Sequence, residues 1–171
     1  MTNTIHLNTL NTATQEEFTE LLAEIYEHSS WIPNKVWSRR PFANIESLHD
    51  EMLKIVEDSS IEEKLVLLRA HPQLAGKEAK SGKLTEASTE EQSSAKLNSL
   101  NRPEMNEITA LNKLYMETHH FPFIIAVKGH TKDSIFEEFR KRVNNPTNDE
   151  LNKAIWQVGL IANFRLKALI C

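Results

Sequence analysis

The chain has 171 residues, 40% hydrophobic and 26% charged, with 4 Gly and 6 Pro. That profile excludes collagen-like, low-complexity and disordered chains, predicts one globular domain over residues 1–171 with 1–13 flexible, and tilts the class toward helix. With 20 Lys+Arg against 24 Asp+Glu, the net charge of -4 leaves no excess of cations to neutralise phosphates, so nucleic acid is not an expected partner.

Capping signals divide the chain more clearly than composition does. Thr14-Gln-Glu-Glu17 opens a helix over about 15–28 through Phe18, Leu21, Leu22 and Ile25. Asn44 caps a second, through Ile45, Leu48, Met52, Ile55 and Val56; Ser60-Ile-Glu-Glu63 opens a third that stops near Ala70, because Pro72 pushes His71 out of the α region. Residues 72–87 carry Gly76 and Gly82 and little apolar periodicity, which predicts a loop with at most one short helical turn, a candidate binding rim. Ser88-Thr-Glu-Glu91 is a further capping pattern, and Pro103 suits the first turn of a helix to about His119 through Met105, Ile108, Leu111, Leu114 and Tyr115. Thr131 caps a helix through Ile135, Phe136 and Phe139, and Thr147-Asn-Asp-Glu150 caps a final one with Leu151, Ile155, Val158, Ile161, Ala162, Leu166 and Leu169 on one face. The one strand-like run, Phe121 to Val127, is also the longest apolar run and far short of a membrane span. The expectation is an all-α, single-domain helical bundle.

The N-terminus lacks the basic start and apolar run of a signal peptide, the last three residues are not the peroxisomal Ser-Lys-Leu, and the single cysteine, Cys171, permits no internal disulfide. These features predict a cytoplasmic protein without a membrane partner.

Four features carry chemistry. His71, at the end of a helix, lies near its last carbonyls, which favours the imidazolium and suits a general acid; the same position also suits a histidine that merely caps those carbonyls. Ser88, Glu91 and Gln92 offer a hydroxyl, a carboxylate and an amide near a helix N-terminus, although Ser-x-x-Glu is equally a capping box. Phe121-Pro-Phe-Ile-Ile-Ala-Val127 either presents backbone amides to a ligand or is a buried connector. Arg165, beside the apolar face of the last helix, either snorkels or forks onto a carbonyl or carboxylate. His28, His49, His119, His120 and His130 do not match a metal motif, since HExxH and CxxC are lacking, and there is no glycine-rich phosphate loop.

Taken in order, Arg40-Pro-Phe42, Ala70-His-Pro-Gln-Leu-Ala75, Leu84-Thr-Glu-Ala-Ser-Thr-Glu-Glu-Gln92, Leu111-Asn-Lys-Leu-Tyr115, Phe121-Pro-Phe-Ile-Ile125 and Ile161-Ala-Asn-Phe-Arg-Leu166 resemble the 2-oxo-4-hydroxy-4-carboxy-5-ureidoimidazoline (OHCU) decarboxylase family over nearly the whole chain. The resemblance implies a cofactor-free, metal-free, usually dimeric carboxy-lyase of urate catabolism that yields (S)-allantoin. It assigns catalysis to His71 and Glu91, and substrate contacts to Pro72, Ser88, Gln92, Phe123, Ile124, Ile125, Ala126, Val127 and Arg165. The competing reading is a non-catalytic ureide- or protein-binding module on the same scaffold. Two departures stand out: a usual Phe-Gly is His119-His120 here, and a common Ala-Gly-Leu reads Ala95-Lys-Leu97.

Overall fold

The computed structural model describes residues 3–171. Ten α-helices follow in chain order among them: α1 Leu7–Thr12, α2 Gln15–Leu21, α3 Trp31–Val36, α4 Ile45–Glu57, α5 Ile61–Arg69, α6 Lys77–Lys80, α7 Glu86–Ser94, α8 Arg102–His119, α9 Lys132–Arg142 and α10 Thr147–Leu169. Among the described residues no strand forms, only a parallel bridge between Ile5 and Ile170, so the all-α expectation holds. No helix there is long and apolar enough to cross a membrane. The described residues fall into two compact units: those up to 70 with 159–171, and residues 71–158.

In the first unit, the predicted caps at Thr14, Asn44 and Ser60 each close a reciprocal box, with Glu17, Ser47 and Glu63. Leu48, Met52, Ile55 and Val56 then fall on the buried face of α4, each worth roughly 1.5–3 kcal/mol of apolar burial. Three expectations change. Of the 1–13 stretch expected to be flexible, residues 1 and 2 lie outside the described residues, while α1 is helical with Leu10 buried and Ile5 bonded to Leu169 and Cys171. The helix expected to reach 28 stops at Leu21 and continues as tight turns, because the Glu24 carbonyl accepts from Arg165 at 2.8 Å instead of serving the helix. The third change is α3, which was not foreseen. Its preceding residue, Ser30, makes no side-chain cap and so leaves no sequence mark.

The second unit is built on aromatic contacts. Phe123 stacks on Phe139 at 4.0 Å between centroids, and the Tyr115 ring meets Phe121, Phe123 and Phe139 edge-on. The guanidinium of Arg142 lies 4.5 Å over the Phe123 ring. Its Nε donates to Glu150 at 2.9 Å and its NH1 to the Ile124 carbonyl at 2.8 Å. Glu150 also accepts from the Tyr115 hydroxyl at 2.6 Å and from Asn145 at 2.9 Å. This overturns the expected Thr147–Glu150 capping pair: a fully buried carboxylate goes to the three donors that compensate its charge. Thr147 instead meets His119 Nδ1 at 2.8 Å. The buried face of α8 is Ile108, Asn112, Tyr115 and His119, with Leu114 half exposed, so the predicted apolar stripe is turned by the polar residues that find partners inside.

The two positions where the resemblance leads one to expect glycine both have a special backbone. Lys96 (φ 61°) and His120 (φ 65°) are left-handed, the conformation glycine adopts at least cost, and here side chains occupy it.

Candidate active site

α7 begins earlier than the sequence suggested. Thr85, not Ser88, is its N-cap, accepting the Ser88 N–H at 3.3 Å, so Ser88 and Glu91 do not form the capping pair. Ser88 and Gln92, one turn apart, are both buried, and Glu91 beside them is half-buried.

Gln92 reaches from α7 to the chain just after His71-Pro72. Its Oε1 accepts the Ala75 N–H at 2.9 Å and its Nε2 donates to the Gln73 carbonyl at 3.3 Å. From α8, Asn112 Nδ2 donates to the Leu74 carbonyl at 2.9 Å. Three consecutive residues are thereby held by two amide side chains. The turn they hold is tight. Ala75 is left-handed at φ 48°, and a Cβ at Gly76 would lie 2.6 Å from the Gln73 Cβ, so only glycine fits there. His71 at the start of this loop is half-buried and Pro72 buried.

Residues 72–85 form the expected loop with one helical turn, α6, while the last two positions of the stretch, 86 and 87, belong to α7. Residues 121–127 form neither helix nor paired strand, and Phe123, Ile124, Ile125 and Ala126 are buried. Backbone groups of that segment are engaged internally: the Ala126 N–H donates to Gln157 Oε1 at 2.9 Å, and the Ile124 carbonyl accepts from Arg142. Val127 is half-buried, and its carbonyl accepts from the His130 N–H.

Arg165 belongs to the first unit and is buried. Of its two sequence readings the fork is the observed one: NH1 donates to the Glu24 carbonyl at 2.8 Å and to Glu27 at 3.2 Å. The structure thus brings together Gln92, its α7 neighbours Ser88 and Glu91, and the loop after His71. Sequence reasoning gave no role to Asn112, whose long-range partner Leu74 lies 38 residues away. Its one visible signal was a polar residue four positions after Ile108 on a buried face.

The family model described as OHCU decarboxylase matches residues 11–167. The chain belongs to the OHCU decarboxylase family. Within that family it is 38% identical over 160 residues to the 2-oxo-4-hydroxy-4-carboxy-5-ureidoimidazoline decarboxylase of Haloferax volcanii, covering 94% of this chain and 93% of that protein. It is 36% identical over 165 residues to the uric acid degradation bifunctional protein of Bacillus sp. (strain TB-90), covering 96% of this chain but only 32% of that relative, about a third of its length. The crystal structure of (S)-allantoin synthase superposes with a TM-score of 0.77 at 28% identity, covering 96% of this chain and 54% of that one. The match to these OHCU decarboxylase relatives spans both compact units.

Proposed function

We propose that this chain decarboxylates 2-oxo-4-hydroxy-4-carboxy-5-ureidoimidazoline to (S)-allantoin, with His71 as general acid and Glu91 as its partner. Family membership supports the reaction. The observation that carries the site is the Gln92 carboxamide, which ties the helix bearing Ser88 and Glu91 to the loop that begins at His71.

The substrate is its own electron sink. Its carboxylate sits on a ring carbon next to a C=N bond; as that C–C bond breaks and CO2 leaves, the electron pair flows into the imine, whose nitrogen takes a proton. The hydroxyl-bearing C=C so formed then loses its O–H proton and gains one at carbon, with one proton consumed overall. Because the electrons have somewhere to go within the substrate, the reaction does not call for an added electron acceptor. The residues must stabilise developing charge and protonate one face only, which a positioned acid does. His71 serves as that acid, while Glu91 holds the substrate hydroxyl or ureido N–H groups. Pro72, Ser88 and Gln92 are assigned side-chain contacts with the substrate, and residues 123–127 backbone contacts.

For Arg165, engaged by Glu27 within the first unit, the assignment is to a substrate carbonyl or ureido oxygen, since pairing with the departing carboxylate would favour the ground state. Arg165→Lys raising KM with little change in kcat would bear that out. The reading is completed by one functional domain over both units, acting as a cytoplasmic homodimer. Sedimentation at twice the 19.6 kDa chain mass is expected, and a 19.6 kDa species at working concentration would remove the dimer.

The decisive experiment generates the substrate in situ from urate and follows circular dichroism. Rapid growth of an (S)-allantoin signal, lost in His71→Ala, is expected. Racemic product at the spontaneous rate would overturn the function.

A further inference from the structure

The buried face of α8 carries an amide where an apolar side chain would pack. Asn112 is 5% exposed, and its Oδ1, wholly shielded from solvent, finds no hydrogen-bond partner among the described residues. Rotating the amide does not relieve this, because Nδ2 already donates to the Leu74 carbonyl and exchanging the two atoms would set oxygen against oxygen. An unsatisfied buried acceptor is a standing cost to the fold, so the residue's contribution lies in the bond it does make. That bond fixes the middle of a three-residue turn. Gln92 holds the carbonyl before it and the N–H after it, Ala75 is kept left-handed, and Gly76 admits no side chain. Two residues upstream, His71 has the rest of its chain path defined by this turn.

We infer that Asn112 is a positioning residue for His71, acting on the reaction through the Leu74 carbonyl without touching substrate. The inference rests on the function proposed above. A general acid must meet the reacting atom within a few tenths of an ångström, and loosening its anchor costs rate more than binding. Gln92 lies close enough to the proposed site to serve both tasks; Asn112, buried behind the turn, serves the one.

Asn112→Leu replaces the amide with an apolar side chain of the same branching, two methyl groups standing where Oδ1 and Nδ2 were. It exchanges one unpaired acceptor, Oδ1, for another, the Leu74 carbonyl, so the melting temperature should change by only a few degrees. Expected with in situ substrate is a fall of about 10- to 100-fold in kcat with KM within about threefold. The pH profile should keep its shape, since the imidazole is displaced and not removed. The sharper readout is a double-mutant cycle with His71→Asn: with the acid already gone, adding Asn112→Leu should lower the residual rate no further. Asn112→Ala, should the leucine prevent folding, carries the same expectations for kcat and the cycle. Wild-type-like kcat in either folded variant, or an additive cycle, would overturn the positioning role while leaving the function standing. An inactive parent would instead remove the function and the inference with it.

Discussion

Two irregular segments, one in each unit, are held by side-chain donors in different ways. In the first unit, Arg40 gathers the C-terminal end of α1 and the residue that follows it, where the chain turns into α2. Its NH1 donates to the carbonyls of Leu10, Asn11 and Ala13 at 3.3, 3.0 and 2.7 Å, its Nε donates to Trp37, and the Trp37 indole N–H adds a bond to Ala13. In the second, Gln92 and Asn112 hold the turn at 73–75 with neutral amides, leaving one acceptor unpaired and Ala75 in a left-handed conformation. Arg40 is a redundant charged clamp on relaxed backbone; the amides are a minimal clamp on strained backbone. Where a chain accepts strain and incomplete pairing, the geometry so fixed is a better candidate for function than for stability.

The comparison is tested most strongly by removing the group at each end of it. His71→Ala should reduce kcat by about 10²- to 10⁴-fold with urea-unfolding stability nearly unchanged, the range expected for loss of a general acid. Arg40→Ala should do the reverse, costing about 2–4 kcal/mol in the same unfolding measurement through lost charge-assisted hydrogen bonds, with kcat at low temperature preserved. If His71→Ala were the destabilised variant, the strained turn would be structural and the contrast would fail.

Buried tyrosines extend the contrast to hydroxyl groups. Tyr115 donates to Glu150, whereas the Tyr26 hydroxyl has no partner among the described residues. Tyr115→Phe should cost about 1.5–3 kcal/mol and Tyr26→Phe nothing, or a slight gain, by thermal melting. Burial, aided in Tyr115 by Glu150, pushes both phenols above their ordinary value. Unfolded tyrosine ionises near 10. The folded state holds the proton longer, so this stability is present below about pH 10 and declines above it, which alkaline unfolding would detect. Tyr115→Phe should flatten part of that decline.

A smaller effect than the loss of the Tyr115 hydroxyl is expected at the two side chains standing in left-handed positions. At Lys96 and at His120, a glycine variant should be more stable than the alanine variant by about 1 kcal/mol. Equal stabilities would mean that the local turn relaxes when the side chain changes.

What could be read from the residues follows the range of the interactions. Caps at Thr14, Asn44, Ser60 and Thr131 were legible because donor and acceptor lie three residues apart. The same rule misled at Ser88, where Thr85 offers an equivalent hydroxyl one turn earlier, and at Glu150, whose carboxylate is claimed by Tyr115 from 35 residues away. The site followed the same division. His71, Ser88, Glu91 and Gln92 stand out as residue types, but the side-chain amide hydrogen bonds joining α7 and α8 to one turn depend on tertiary packing that local spacing does not encode. Resemblance supplied the grouping that spacing could not.

One consequence of how the units divide the chain concerns synthesis. Residues 71–158 are contiguous, whereas the first unit needs residues 159–171 to join the first 70. Its closing contacts are among the most distant in sequence: Ile5 with Leu169 and Cys171, and Glu27 with Arg165. A chain leaving the ribosome therefore has every residue of the second unit before the first can be completed, and the half translated earliest is the half that must wait. Until the end of α10 emerges, the Arg165–Glu27 ion pair cannot form, so an early stop before Arg165 would strike hardest at the residues around Glu27.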